Sequence, residues 1–273
     1  MNALESSVED LMTPDPAVVD PEDGIDVAET VMRLGRANEW PVASGRSLLG
    51  VVTIGDLVLA RDGDSAVDRP QPTCAGVMTA AAIVAHPSDP LSHAARVMQR
   101  HRLSCLPVVA HGELVGLITL TELVELAVGL LEGEARRYGA APIVAHLMTC
   151  TPITVSPDST LATAEALMAA MPIRHLPVCE HDRLVGIVAQ RDLVWALRAM
   201  VRPASEVLVG DVMTPKPKTA TPDCEAARAG RMLLQHGIGA LPVVRGERLI
   251  GILSKRDFLR HLLSLAPPAR AWS

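Results

Sequence analysis

Residues 241–257 read Leu-Pro-Val-Val-Arg-Gly-Glu-Arg-Leu-Ile-Gly-Ile-Leu-Ser-Lys-Arg-Asp. An apolar run enters through Pro242, a polar turn occupies 245–248, and a second apolar run crosses Gly251 to end in Ser254-x-x-Asp257. Two apolar runs around a short polar turn predict a β-hairpin, and the closing Ser-x-x-Asp predicts delivery into a helix. The pattern occurs four times. Its prolines are Pro41, Pro107, Pro177 and Pro242; nine residues after each stands Gly50, Gly116, Gly186 or Gly251; six further on stands Asp56, Glu122, Asp192 or Asp257.

The repeat extends upstream. A Leu/Val-Met-Thr triplet opens each unit at Met12, Met78, Met148 and Met213, and each of these methionines precedes the hairpin proline by 29 residues. Another proline falls nine residues after each methionine, at Pro21, Pro87, Pro157 and Pro222. In the third unit Pro157-Asp158-Ser159-Thr160 announces a helix start, and Leu161, Ala164, Leu167 and Met168 recur at helical spacing. That helix is predicted to end near Met171-Pro172, and a second one over 191–200 closes the unit. The order is β-α-β-β-α. The expected fold class is therefore α+β, four such repeats. A unit of this size seldom hides both faces of its sheet alone. Pairing is expected, unit one with two and three with four, over residues 1–138 and 139–273. The linker at 61–73 is polar with two prolines, and Gly129, Gly133 and Gly139 with intervening charges mark the boundary between pairs.

Composition narrows the function. Only five of the 273 residues are aromatic against 49% hydrophobic, so the cores must be aliphatic. A formal charge of -6 argues against a nucleic-acid backbone as the main partner. Five scattered cysteines with no Cys-x-x-Cys pair read as reduced thiols of a cytoplasmic protein. The acidic N-terminus is no signal peptide, and no apolar run reaches the roughly 18 residues of a membrane span. The nine histidines show no His-Glu-x-x-His and no Cys/His cluster, so no metal is expected. His236-Gly237-Ile238-Gly239-Ala240 lacks the remaining glycine of a dinucleotide fingerprint and precedes a strand.

The Met-Thr start, the Leu-Pro-Val strand, the Gly-apolar strand and the closing Ser/Thr-x-x-acid together resemble the cystathionine-β-synthase (CBS) motif. Four copies lie at about 8–60, 74–128, 144–197 and 209–262. The resemblance implies two CBS pairs, or Bateman modules, each about a pseudo-twofold axis, in a layout similar to the gamma subunit of AMP-activated protein kinase. It also implies adenine nucleotides or derivatives (AMP, ADP, ATP, NAD or S-adenosylmethionine) in clefts between paired motifs. They would act as regulatory ligands, with no cofactor required.

The resemblance assigns the ribose to the final acid, hence Asp56, Asp192 and Asp257, supported by the hydroxyls of Thr53 and Ser254. A carboxylate can accept both ribose hydroxyls. The same turn is equally a helix-capping signature, and Thr119-x-x-Glu122 fits a capping box with no ligand at all. Glu122 and Ala189 both depart from the family pattern. In four-motif relatives, basic residues before Leu-Pro reach phosphates; here that position holds Arg174-His175, against Asn38-Glu39, Ser104-Cys105 and Gly239-Ala240. Glu39 is expected to repel phosphate, with His101 and Arg102 placed to compensate. A surface arginine and a surface histidine are the plain alternatives for Arg174 and His175. The adenine slot would be lined by the first strand of each unit, where Val18, Val84, Thr154 and Thr219 stand sixth after the methionine. Thr219 with Ser254 and Asp257 forms the fullest polar set. The four methionines are expected to fill the junction between paired units.

The leading expectation is a non-catalytic nucleotide sensor, a homodimer, that signals to a separate protein. A dimerisation scaffold with vestigial clefts is the alternative, and nucleic-acid binding a minor one. No nucleophile, paired-carboxylate or phosphate-loop pattern supports an enzyme.

Overall fold

The computed structural model describes residues 3–35, 37–62, 72–139, 141–171, 173–199 and 203–266. Residues 63–71 of the polar linker, and the expected helix ends at Pro172 and Met200, lie outside the described residues. Each motif contains a helix, a hairpin and a closing helix. In motif 1 these are Ile25–Leu34, the strands Glu39–Ser44 and Ser47–Thr53, and Ile54–Asp62. Motif 2 has Leu91–His101, Cys105–Ala110, Glu113–Thr119 and Leu120–Tyr138. Motif 3 has Leu161–Ala170, His175–Glu180, Arg183–Ala189 and Gln190–Ala199. Motif 4 has Ala226–Gln235, Ala240–Arg245, Arg248–Ser254 and Lys255–Ser264. The order and the α+β class agree with the sequence reading. All four hairpins share one irregularity, a register shift after Val42, Val108, Val178 and Val243.

The chain forms two compact units. One comprises residues through Ala127 together with those from Phe258 onward; the other is Val128–Asp257. Within each unit two motifs exchange strands reciprocally. Thr13–Pro14 of motif 1 pairs with Gly116 and Leu117 of motif 2, and Thr79 of motif 2 bridges to Val51 of motif 1. Thr149–Cys150 of motif 3 pairs with Gly251 and Ile252 of motif 4, and Thr214–Pro215 of motif 4 pairs with Gly186 and Ile187 of motif 3.

Those strands explain the invariant spacing of methionine and glycine. A Cβ on Gly50 would lie 2.9 Å from the Met78 sulfur and 2.6 Å from the Thr79 carbonyl oxygen. One on Gly251 would lie 2.7 Å from the Met148 sulfur. Gly116 and Gly186 face the sulfurs of Met12 and Met213 in the same way. The methionines do fill the junction between paired motifs, and a side chain in place of the glycine would press on them.

The helix periodicity is also realised. Leu161, Ala164 and Met168 are buried in a cluster with Leu176, Val178, Val188, Leu193 and Leu197, and Leu167 packs partly against it. The helix begins where the polar run ended, with Thr160 Oγ1 accepting the Thr163 N–H at 3.2 Å. Among the described residues no helix is long and apolar enough to cross a membrane. The five cysteines are free thiols. Burial, with Asp23, Asp26 and Asp20 nearby, pushes Cys74 up to about 11.

At the hairpin tips the two units carry opposite charges at matching positions. Arg46 of motif 1 faces Glu113 of motif 2 at 3.8 Å. The corresponding Asp182 of motif 3 faces Arg248 of motif 4 at 3.2 Å. All four side chains are exposed, so each pair contributes at most about 1 kcal/mol.

The methionine–glycine packing is tested by a double-mutant cycle in urea. Gly251→Ala is expected to cost about 1–3 kcal/mol through overpacking. Adding Met148→Ala should recover part of that loss, giving a coupling of about 1 kcal/mol. Gly129→Ala, on an exposed and uncrowded position of Leu120–Tyr138, should instead stabilise by up to about 1 kcal/mol.

Candidate functional site

Every motif closes the same corner. The first N–H of the closing helix donates to the carbonyl just ahead of the Leu-Pro strand. The bonds are Ile54 to Asn38 at 2.9 Å, Leu120 to Ser104 at 2.8 Å, Gln190 to Arg174 at 2.9 Å and Lys255 to Gly239 at 3.1 Å. The terminal acid then folds back on the hairpin end, accepting the N–H of Thr53 (2.7 Å), Thr119 (2.9 Å), Ala189 (2.9 Å) or Ser254 (2.6 Å). Glu39, Cys105, His175 and Ala240 pair across the hairpin with those same residues. The residue ahead of Leu-Pro (Trp40-Pro41 in motif 1) and the terminal acid therefore share one small corner.

The corners differ in how far the acid is committed. Asp257 is 3% exposed and also accepts the Ser254 hydroxyl at 2.7 Å and the Thr149 hydroxyl of motif 3 at 3.3 Å. Glu122 has the equivalent set from Thr119 and, at 3.3 Å, from Thr13. In motifs 1 and 3 the acids are half-buried. Asp56 shares a capping box with Thr53, whose hydroxyl accepts the Asp56 N–H at 3.2 Å. Asp192 has no hydroxyl partner at Ala189, and burial raises its carboxyl against the opposing pull of the Ala189 N–H and Arg191. The set that looks fullest in the sequence, Ser254 with Asp257, is thus largely occupied by its own hydrogen bonds. The sparser one at Asp192 is the more available.

Val18, Thr154 and Thr219 each immediately precede a residue bridging to the Leu-Pro strand, at Val19–Val42, Val155–Val178 and Ala220–Val243. Thr154 is exposed; Val18 and Thr219 are half-buried.

The chemistry concentrates at His175. Its imidazole lies against Gly239 of motif 4, where a Cβ would fall 2.5 Å from Cε1 and Nε2. Desolvation holds His175 down to about 3, with Arg191, Arg174, Lys255 and Arg256 adding repulsion of the imidazolium. Part of the residue still reaches solvent. Arg191 lies 5.8 Å above the Trp195 ring, and its Nε is 3.9 Å from Asp192 Oδ1. Both Arg191 Nε and the Trp195 indole nitrogen are buried without a hydrogen-bond partner. Arg191, Lys255 and Arg256 escape a reading confined to the first and last residues of Ser/Thr-x-x-acid. They occupy the two middle positions, where motifs 1 and 2 have Ile54-Gly55 and Leu120-Thr121.

The matching corner of motif 1 is the chemical opposite. Glu39 is 4% exposed, and its Oε2 accepts the N–H groups of Ser104 at 2.9 Å and Cys105 at 3.2 Å. His101 and Arg102 are exposed at the end of the preceding helix.

A family model described as the CBS domain matches residues 8–63, 74–129, 144–199 and 209–264. The chain belongs to the CBS-domain family. It is 33% identical over 116 residues to the CBS domain-containing protein YhcV of Bacillus subtilis, covering 79% of that protein and 42% of this chain. It is 37% identical over 111 residues, 40% of this chain, to an inosine-5'-monophosphate dehydrogenase of Methanocaldococcus jannaschii, and spans only 21% of that enzyme's length. The fold of the whole CBS chain resembles the crystal structure of MJ1225 from Methanocaldococcus jannaschii, described as a proposed archaeal homologue of γ-AMPK. The TM-score is 0.79 at 20% identity over 93% of this chain and 99% of that one.

His175 gives a pH test. A histidine held neutral near 3 in the fold takes a proton in the unfolded chain below its ordinary 6.5. Its contribution is present above about pH 6.5 and is lost as pH falls toward 3, with a limiting slope of about 1.4 kcal/mol per pH unit. Urea unfolding should therefore show the wild type losing more stability between pH 7 and 4.5 than His175→Gln.

Proposed function

We propose that this CBS protein is a non-catalytic regulatory module that binds adenine nucleotides and passes the binding state to a separate protein. The single observation carrying this reading is the corner at His175, whose ring lies against Gly239, the residue whose carbonyl accepts the Lys255 N–H, with Arg174, Arg191 and Arg256 also within electrostatic reach. A corner rich in cationic side chains and partly withdrawn from water attracts an anion. A nucleotide supplies that anion. The partnerless donors on Arg191 and Trp195 add unmet hydrogen-bonding capacity beside Asp192. Asp192 is then the ribose acceptor, Thr154 borders the base, and the cations with His175 hold the phosphates. In motif 1, Asp56 with Thr53 and Val18 forms a second candidate. Asp257, Ser254 and Thr219 form a third with less free capacity. The working form is a cytoplasmic homodimer.

A scaffold reading is favoured by one observation. The carboxylates of Glu122 and Asp257 are each taken up by three hydrogen bonds within their own motif pair. Motifs 2 and 4 then use the terminal acid as a cap alone.

Thermal unfolding with AMP, ADP, ATP, NAD and S-adenosylmethionine separates the two. A ligand at 100 times its Kd stabilises by about 2.7 kcal/mol. At least one nucleotide should raise the melting temperature in a concentration-dependent way. Asp192→Ala should weaken that response at least tenfold while the protein still unfolds cooperatively. Asp257→Ala should cost about 0.5–2 kcal/mol of stability as a lost cap and leave most of the response. Silence toward all five ligands at millimolar concentration, with only stability lost in Asp257→Ala, would establish the scaffold instead.

A further inference from the structure

Each pair treats its two corners unequally, and both pairs do so in the same sense. A carboxylate offers about four acceptor positions, and the two hydroxyls of a ribose need about half of them. In the second motif of each pair three are already filled. Glu122 accepts the Thr119 N–H, the Thr119 hydroxyl and the Thr13 hydroxyl; Asp257 accepts the Ser254 N–H, the Ser254 hydroxyl and the Thr149 hydroxyl. In the first motif the load is lighter. Asp56 accepts the Thr53 N–H, and Thr53 Oγ1 accepts the Asp56 N–H in return. Asp192 accepts the Ala189 N–H and has Arg191 Nε at 3.9 Å. Thr79 and Thr214 stand in motifs 2 and 4 where Thr13 and Thr149 stand in motifs 1 and 3. Among the described residues, neither of their hydroxyls bonds to Asp56 or Asp192.

The first motif also reaches across to the second. Glu39 Oε2 accepts the N–H groups of Ser104 and Cys105, and Cys105 pairs across its hairpin with Thr119. The His175 ring lies against Gly239, next to Ala240, which pairs with Ser254. Motif 1 thus brings Thr13 and Glu39 to the corner of motif 2, and motif 3 brings Thr149 and His175 to the corner of motif 4. The residues of motifs 2 and 4 that match Glu39 and His175 are Cys105 and Ala240, both with short side chains. We infer that each pair takes one nucleotide, at the corner of its first motif, and that the first motif itself closes the corner of the second. This rests on the nucleotide-binding reading above and sets the stoichiometry: one ligand at Asp56 and one at Asp192. A ribose entering at Asp257 has to displace the Thr149 hydroxyl. Thr149 lies on the strand that pairs with Gly251 and Ile252, so entry there works against the junction of the pair. Glu122 is held in the same way by Thr13, on the strand paired with Gly116 and Leu117. The acid of the second motif fastens the pair together, and the acid of the first is left to bind.

Equilibrium dialysis of the full chain against AMP, ADP, ATP, NAD and S-adenosylmethionine counts the sites. The tightest of these ligands should saturate at two per chain. Asp56→Asn and Asp192→Asn keep an oxygen for the backbone N–H and remove the charge. Each should lower the count to one, with affinity at the altered corner down at least tenfold, and the double variant should bind none in that range. Glu122→Gln should leave the count at two. Saturation of the wild type at one, three or four ligands would overturn the inference. So would loss of a bound ligand in an Asp257→Asn protein that unfolds cooperatively. The wild-type count decides the matter if a variant does not fold. Those contrary results leave nucleotide binding standing, whereas failure of every one of the ligands to bind would remove that reading and this one together.

Discussion

The structure depends on the reciprocal laying of one short strand on the partner's hairpin. Each Met-Thr segment gives its backbone to the other motif's sheet and its methionine side chain to the other motif's glycine. Neither half of such an exchange is complete alone. The sheet edge that the strand covers would otherwise present unpaired N–H and C=O groups. Because Thr13 and Thr149 also donate to Glu122 and Asp257, the same exchange sets the terminal acids of motifs 2 and 4. Pair formation and the state of those acids are one event.

Duplication has kept that frame and let the chemistry inside it diverge. The four strand-to-helix hydrogen bonds that shape the corner span only 2.8–3.1 Å. They use backbone atoms alone, so side chains there are free to change. Motif 3 has an alanine in place of the turn's hydroxyl and arginines beside it; motif 1 has the hydroxyl and a buried glutamate. Side chains at the corner can therefore differ between pairs while these backbone bonds are kept.

The architecture was legible because three residue types were fixed by backbone geometry: proline entering the hairpin, glycine under the methionine, and the acid at the helix start. Their spacing survives where the surrounding residues do not. The reason for the glycine was not legible, since the sulfur that fills its place lies 103 residues away for Gly251 and Met148. Candidate acids were legible as positions and not as states. Ser254 with Asp257 and Ala189 with Asp192 suggest a rich site and a poor one, yet hydrogen bonding within motifs 3 and 4 reverses their availability. The sign of the field at Glu39 was visible in the sequence, but its enclosure was not. The cations Arg191, Lys255 and Arg256 were hidden in a turn read only at its two ends.

The inverted charges at the hairpin tips bear on how a chain of four look-alike repeats sorts itself. Matched by position, Arg46 would stand opposite Arg248 if motif 1 met motif 4, and Glu113 opposite Asp182 if motif 2 met motif 3, with Glu247 and Arg183 beside them softening the repulsion. Like charges at such a junction disfavour the mistaken match without adding much to the correct one. The tips thereby bias each motif slightly toward its own partner.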